Sequence, residues 1–157
     1  MAILPIREFE DPILRKKALP VEKITRRTQR IIKDMIETLH DAEGAGLAAP
    51  QIGLSERMIV VDVGEGPIAL INPQILEADG SQRDVEGCLS LPGVCGYVTR
   101  KDRVVVEGLN ENGKAVRLEA KGLMSRAFQH EIDHLDGKLF VDYLPQDKAH
   151  NKTGNPK

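Results

Sequence analysis

The segment from Leu123 to Asp136 places the strongest constraint on how this chain can fold. On a helix, where successive residues are rotated by about 100°, its apolar side chains occupy most of the circumference. The preceding Gly122 and the following Gly137 are typical of the two ends of a helix. A helix with so little polar surface must be covered by other elements, so we expect it at the centre of the protein. Its more polar side carries Ser125, Gln129, Asp133 and Asp136.

The first third of the chain predicts one further helix. Residues 25–43 carry apolar side chains along one face at helical spacing, which predicts an amphipathic helix. Thr25 or Thr28 can cap its start, and Gly44 can end it. Residues 43–53 contain too many small side chains for a core helix or a good strand, so neither element is expected there.

Strand-like runs occupy the middle of the chain. An Asn-Gly pair at residues 112–113 separates two of them and is typical of a tight hairpin turn, and a Pro-Gly pair at residues 92–93 predicts another turn. Because the strands are not regularly separated by helices, a doubly wound parallel sheet is not expected. The sequence predicts an α+β fold, with antiparallel β-sheets packed around the C-terminal helix. The runs are residues 58–63, 68–73, 104–109 and 114–120.

The length and composition indicate one ordinary domain. The chain has 157 residues, and 22 basic against 24 acidic side chains leave a net charge of −2. Nucleic-acid-binding proteins usually show a basic excess, so direct sequence-specific nucleic-acid binding is not expected. No apolar run is long enough for a membrane span, and the N-terminus lacks the pattern of a secretory signal. We expect a single domain over residues 1–145, a flexible polar tail over 146–157, and a cytoplasmic location.

The C-terminal helix carries an H-E-x-x-H pattern formed by His130, Glu131 and His134. The i, i+4 spacing puts both imidazoles on one face, where they can bind one metal ion. Glu131 also falls on the inward side, and a bound cation with its water would compensate the burial of this carboxyl. Taken singly, an inward histidine can be an ordinary core residue and the glutamate a surface charge. The full pattern favours a metal site that needs a third ligand.

Cys88 is the best candidate for that third ligand. The other histidines are poorly placed, since His40 ends the first helix and His150 lies in the tail. A thiolate with two imidazoles would leave a coordination position open for water. A free cysteine is also a common small buried residue, so the residue alone leaves both interpretations open.

Three stretches of the chain together resemble the signature motifs of the peptide deformylases. They are GAGLAAPQ at residues 44–51, EGCLS at 86–90 and QHEIDH at 129–134. Flanking stretches are also similar to that family, including DPILRKKA at 11–18 and GKLFVDYL at 137–144. The resemblance covers almost the whole chain except the tail. It implies a metal-dependent hydrolase that removes the N-formyl group from the N-terminal formylmethionine of nascent polypeptides and releases formate.

The resemblance also implies a role for each matching residue. Cys88, His130 and His134 would bind one divalent metal ion, with Fe²⁺ expected and Ni²⁺, Co²⁺ or Zn²⁺ as alternatives. Glu131 would be the general acid and base. The oxyanion would be bound by the Gln51 side chain and the backbone N–H of Leu89, and Gly46 would let the substrate backbone approach.

The pocket for the methionine substrate is predicted from the same motifs. Arg100 and Asp133 are expected to pair and orient the motif helix, although two solvated surface charges are an equally fair interpretation of such a pair. The residues expected to contact substrate are Gly44, Gly46, Leu47, Ile52, Glu86, Gly87, Leu89 and Leu123.

Two features depart from the family pattern. Cys95 stands where many relatives carry a larger polar residue, and it could form a disulfide with Cys88 or be inert. The tail, residues 146–157, lacks the long basic helix with which some deformylases are thought to dock on the ribosome. The expected partners are therefore formylmethionyl nascent peptides and, transiently, the ribosome, with docking through the tail in doubt; no membrane partner is expected.

Two other classes of protein share part of this pattern. A zincin-type metalloprotease would normally take its third ligand from a His or Glu after the motif helix, but the carboxylates there are Asp136, Asp142 and Asp147. A non-catalytic metal- or peptide-binding relative would be expected to have lost Glu131 or Gln51, and both are present.

Overall fold

The computed structural model describes residues 2–145 and confirms the α+β fold. Its helices and strands are α1 (Arg26–Asp41), β1 (Gly46–Ala48), β2 (Met58–Val61), β3 (Ile68–Asp79), β4 (Gln82–Cys88), β5 (Leu91–Arg100), β6 (Arg103–Leu109), β7 (Ala115–Lys121) and α2 (Gly122–Leu135). The strands of this described part are antiparallel and form a five-stranded sheet in the order β1-β2-β3-β6-β7 and a separate two-stranded sheet, β4–β5. Short 3₁₀ turns lie at Pro12–Arg15, Ala49–Ile52 and Phe140–Tyr143.

Helix α1 is the predicted amphipathic helix. Thr25 caps its start, because its hydroxyl accepts a hydrogen bond from the backbone N–H of Thr28 while the Thr28 hydroxyl accepts one from the backbone N–H of Thr25. Its buried face packs against one side of the five-stranded sheet near β1 and β2. Residues of this core cluster include Ile32, Met35, Leu39, Met58, Val60 and Ile71.

Helix α2 lies at the centre of the protein, as its apolar circumference predicts. It packs on the other side of the five-stranded sheet, where Phe128 and Leu135 are fully buried. Successive side chains of β2 pack on opposite faces of the sheet. Ile59 and Val61 point to α2, while Met58 and Val60 point to α1. The sheet is thus covered on both sides, and α2 is held in one orientation.

The polar side of α2 differs from the prediction, because Ser125 and Gln129 are buried as well. Gln129 accepts a hydrogen bond from the backbone N–H of Lys101 and donates one to its carbonyl, at 3.0 and 2.8 Å. The Ser125 hydroxyl donates to the same carbonyl at 2.9 Å. These side chains anchor the turn between β5 and β6 to the helix, and the turn supplies their hydrogen-bond partners.

Two segments near the motifs also differ from the prediction. Gly46–Ala48 forms a strand despite its small side chains, because β2 supplies an antiparallel partner for its backbone. Pro92 and Gly93 lie within β5, and the chain reverses earlier, at Leu89 and Ser90. The predicted Asn-Gly turn between β6 and β7 is confirmed, with Gly113 at a φ of 80°.

No helix of the described residues is long and apolar enough to cross a membrane. The predicted tail, 146–157, and His150 within it lie outside the residues that the structure describes. The division into a domain over residues 1–145 and a tail stays a prediction.

Candidate metal centre and substrate cavity

The three predicted metal ligands come together between β4 and α2. Cys88 ends β4, while His130 and His134 lie one turn apart on α2. One ligand atom from each residue lies within 4.8 Å of those of the other two, and the Cys88 Sγ is 3.3 Å from the His134 Nε2. His40, the other histidine described, instead pairs with Asp62 at the surface. The cluster thus brings together one sulfur and two imidazole donors.

The electrostatics of the cluster suit a cation. Burial lowers the pKa of His130, but the Cys88 sulfur and the carboxylates of Glu131 and Glu86 outweigh it and raise the pKa to about 10. Positive charge on this ring is therefore stabilised by its surroundings. Burial and neighbouring positive charges hold the pKa of His134 well below its usual range, so this ring is a neutral donor.

Glu86 fixes the orientation of His130. The His130 Nδ1 lies 2.9 Å from the Glu86 Oε1, which leaves Nε2 free for the ligand cluster. Burial raises the pKa of Glu86, but hydrogen bonds from Arg100 and His130 outweigh burial and lower it to about 2. An ionised carboxylate only accepts hydrogen bonds, so it selects the tautomer with a proton on Nδ1.

Two buried arginines hold Glu86 in place. Arg100 donates through Nε and Nη2 to both carboxylate oxygens at 2.8 and 2.9 Å, and Arg126 donates through Nη1 at 2.5 Å. Arg100 also reaches Asp133 on α2 through Nη1, at 2.7 Å, so the predicted pairing of these residues is present. Arg126 was not predicted, although its position four residues before His130 puts it on the inward stripe of α2.

Glu131 is buried against the ligand cluster with only 3% of its surface exposed. Burial raises its pKa to about 7, against the opposing charge of His130. Its Oε1 has no hydrogen-bond partner among the described residues. A buried carboxyl oxygen without a partner destabilises the fold. Buried ionisable groups with a shifted pKa are typical of sites that carry out chemistry.

The amide of Gln51 is oriented by the backbone and by a serine. Its Oε1 accepts the backbone N–H of Ala48 at 2.9 Å, so its Nε2 must point the other way. That nitrogen donates to the Ser90 hydroxyl at 3.1 Å and lies 3.6 Å from the Cys88 sulfur. The amide N–H₂ therefore faces the cluster. Ser90 was not predicted, but the EGCLS stretch contains it.

A cavity of about 360 Å³ opens beside these residues. Leu123 lies at its edge with 58% of its surface exposed. Its lining includes the predicted residues Gly44, Gly46, Gln51, Glu86, Gly87, Cys88, Leu89, Leu123, His130 and Glu131, together with Ala45, Val85, Arg126 and Ala127.

Leu47 and Ile52 are absent from the lining of this cavity. Their contact with substrate stays a prediction. Neighbouring residues of a strand point to opposite faces, so Leu47 turns into the core while Gly46 faces the cavity. Ile52 packs against the same core cluster from the 3₁₀ turn.

The two cysteines are free thiols. In the β4–β5 ladder Cys95 lies opposite Gly87, whereas Cys88 lies opposite Leu91 beyond a register shift. The ladder therefore does not pair the cysteines with each other.

Comparison with known proteins gives a consistent result. A family model described as polypeptide deformylase matches residues 3–150. The peptide deformylase of Halothermothrix orenii is 56% identical over 144 residues, covering 90% of this chain and 94% of that protein. The peptide deformylase of Alkaliphilus metalliredigens is also 56% identical over 144 residues, covering 92% and 98%.

Solved structures agree with the sequence relatives. The chain superimposes on a peptide deformylase from Legionella pneumophila with a TM-score of 0.91 and 42% identity, covering 96% of this chain and 93% of that one. A peptide deformylase from Ehrlichia chaffeensis in complex with actinonin gives a TM-score of 0.93 with 37% identity, and the same two coverages.

Proposed function

The chain belongs to the polypeptide deformylase family, and from this we propose that it removes the formyl group from formylmethionine at the N-terminus of nascent polypeptides, releasing formate. The observation that carries the proposal is that Glu131 and Gln51 line one cavity together with Cys88 and His130, two members of the cluster that His134 completes. Each of these groups has a distinct use in hydrolysing an amide.

We propose that Cys88, His130 and His134 hold one divalent metal ion. A thiolate and two imidazoles suit several first-row transition metals, so the donors do not select one of them. The family resemblance makes Fe²⁺ the expected ion, with Ni²⁺, Co²⁺ or Zn²⁺ as alternatives. When bound, such an ion polarises a carbonyl oxygen and lowers the pKa of an adjacent water.

Glu131 is proposed to act as the general base and then the general acid of the hydrolysis. A pKa near 7 lets its carboxylate accept a proton from the attacking water and return it to the nitrogen that leaves. Its buried Oε1, unpaired among the described residues, is available for that exchange. A formamide nitrogen is a poor leaving group unless it is protonated, so both transfers matter.

Gln51 and the backbone N–H of Leu89 are proposed to stabilise the oxyanion. Negative charge develops on the formyl oxygen during attack, and fixed donors aimed at it lower the barrier. The Gln51 amide is suited to this because Ala48 and Ser90 already fix its direction. Leu89 follows the ligand Cys88 directly in the chain, which keeps its N–H near the same site.

The methionine side chain is proposed to occupy the cavity. A volume of about 360 Å³ lies within the usual range for small ligands, and Leu89 and Leu123 contribute apolar surface. Strand β1 is at an edge of its sheet and borders the cavity at Gly46. An extended peptide backbone can therefore lie beside it.

The metalloprotease alternative is less well supported. Asp136 pairs with Arg57 and Asp142 pairs with Arg15, so the two described carboxylates after the motif helix are already used in ion pairs. Cys88 supplies the third donor from before the helix instead. Asp147 lies outside the described residues.

The decisive experiment is formate release from a short formylmethionyl peptide. The protein would be purified without oxygen and loaded with Fe²⁺ or Ni²⁺. We expect rapid formate release, and no cleavage of the same peptide without its formyl group. Cleavage of internal bonds in the unformylated peptide would instead support a protease, and absence of both reactions with one metal bound would reject the proposed substrate.

Activity on nascent chains implies partners and a location. We propose that the protein acts in the cytoplasm and meets the ribosome transiently. Residues 146–157 contain three lysines and one aspartate, so docking on the ribosome through this segment is not proposed.

A further inference from the structure

The 3₁₀ turn Phe140–Tyr143, which follows α2, reaches the ligand His130 along two routes. The Phe140 ring stacks on the His130 imidazole, with centroids 6.1 Å apart and planes inclined by 25°. At the other end of the turn, the Tyr143 hydroxyl donates to Asp133 at 2.7 Å. The first route is direct, whereas the second passes through the buried ion pairs.

The second route is continuous. The guanidinium of Arg100 lies 4.8 Å from the centre of the Tyr143 ring, and it shares the Asp133 Oδ2 with the Tyr143 hydroxyl. The same guanidinium binds both oxygens of Glu86, whose Oε1 lies 2.9 Å from the His130 Nδ1. Every link is a hydrogen bond between charged or strongly polar groups, apart from the stacking of Tyr143 on Arg100.

The turn itself is fixed independently of the cluster. Asp142 forms a two-point ion pair with Arg15, at 2.7 and 3.0 Å, and also accepts the backbone N–H of Leu139. Gly137 has a φ of 75°, and a Cβ atom there would lie 2.5 Å from the Arg15 carbonyl oxygen. The turn is therefore anchored to the N-terminal part of the chain, and Tyr143 extends from a rigid base.

We propose that Tyr143 is a positioning residue of the metal centre, acting through Arg100 and Glu86 to fix the imidazole of His130 and so to slow the loss of a bound metal ion. This inference rests on the proposed function, because it assumes that the cluster binds metal. Outer-shell partners of metal ligands commonly change metal affinity by about 10–100-fold.

If Tyr143 had only a structural role, replacing it should affect metal release no more than replacing a comparable tyrosine. Tyr143 is 46% exposed, so its removal takes away little buried surface. Tyr97 is a matched control, since it is 52% exposed and its ring stacks on Arg83 at 4.5 Å. Among the described residues Arg83 forms no ion pair, so the Tyr97–Arg83 pair is not connected to the ligands as Tyr143–Arg100 is.

The test compares metal release from the unmutated protein, Tyr143→Leu and Tyr97→Leu. Each protein is loaded with Co²⁺ without oxygen, and release to an excess of chelator is followed through the visible absorption of the bound ion. We expect Tyr143→Leu to release Co²⁺ about tenfold faster with shifted absorption bands. Tyr97→Leu should match the unmutated protein in both measurements.

Tyr143→Phe refines the test and serves if Tyr143→Leu does not fold. It keeps the ring on Arg100 and removes only the hydrogen bond to Asp133, so we expect about threefold faster release. Equal release rates and spectra in the unmutated protein and the Tyr143 variants would overturn the inference alone. Failure of the unmutated protein to bind Co²⁺ would overturn the metal centre and the inference with it.

Discussion

Gly46 and Glu131 lie so close together that a Cβ atom on Gly46 would be 2.5 Å from the Glu131 Oε2. The same atom would be 2.7 Å from the Glu131 Cγ, so rotation of the carboxyl alone would not relieve the contact. The family resemblance implies that glycine is needed at position 46 so that the substrate backbone can approach. The contact adds a second reason for glycine, because the proposed acid and base occupies the space of its side chain.

Gly46→Ala is expected to displace Glu131 and reduce kcat by at least about tenfold, since a shift of 1 Å in a catalytic group can cost about 100-fold. Metal content should stay at the unmutated level, because the three atoms nearest to an added Cβ all belong to Glu131 and none to a ligand. The comparison is Gly108→Ala on β6, where an added Cβ atom would lie 3.1 Å from the Ile71 carbonyl oxygen, a tight contact away from the cavity lining. An equal loss of kcat in both variants would contradict the steric explanation.

Glu131→Ala is expected to keep the metal and reduce formate release by about 10²–10⁴-fold, the usual contribution of a general acid and base. Steady-state kinetics with metal analysis would measure both. Glu37→Ala is the matched control, because Glu37 also has a buried carboxyl oxygen without a partner among the described residues, and it lies on α1. If Glu131→Ala kept activity within tenfold, the assignment of the acid and base would be wrong.

Cys88→Ala is expected to lose tight metal binding. Removal of a direct ligand should weaken affinity by more than the roughly 10–100-fold that an outer-shell change costs. Equilibrium dialysis against Co²⁺ would measure this, with Cys95→Ala as the control that retains binding. Full occupancy of Cys88→Ala under the same conditions would reject the three-ligand site.

Ser90→Ala is expected to lower kcat by about three- to tenfold, because the Gln51 amide loses the acceptor that directs its nitrogen. Metal binding should not change. Ser125→Ala offers a control, since Ser125 is equally buried but donates to the Lys101 carbonyl, on the opposite side of α2. Kinetics in which both variants lose kcat to the same extent would remove Ser90 from the positioning of Gln51.

Gln129→Ala is expected to lower the free energy of unfolding by about 1–3 kcal/mol, because both backbone groups of Lys101 lose a buried partner. Gln29→Ala should change it far less, since the hydrogen bond from Gln29 to the Glu111 carbonyl is exposed. Urea unfolding of the metal-free proteins would compare them. Similar changes in the two variants would show that the Lys101 turn does not depend on Gln129.

Local patterns in the sequence account for most of what could be predicted. The two helices and the β6–β7 hairpin depend on periodicity, caps and turn residues that lie within a few positions of one another. The same applies to His130 and His134, whose common face follows from helical spacing. From the residues alone Cys88 is an open candidate and Gln51 has no role. The family resemblance assigns both, since their approach to α2 depends on how distant strands are arranged.

The remaining differences have tertiary causes. Strand β1 exists because β2 pairs with it, although its own residues have little tendency to form a strand. The helical wheel gives the direction of Gln129 but not the turn at Lys101 that covers it. Arg126 and Tyr143 were not predicted because a charged or half-exposed side chain is informative only once its partners are known.

Because β4–β5 is separate from the five-stranded sheet, the proposed metal ion would also contribute to the stability of the fold. A two-stranded sheet on its own is marginally stable in water, so this hairpin depends on its attachments to the rest of the chain. Cys88 belongs to the hairpin, whereas His130 and His134 belong to α2. An ion held by all three would cross-link two units that share no strand pairing, and its binding energy would become part of the energy of folding.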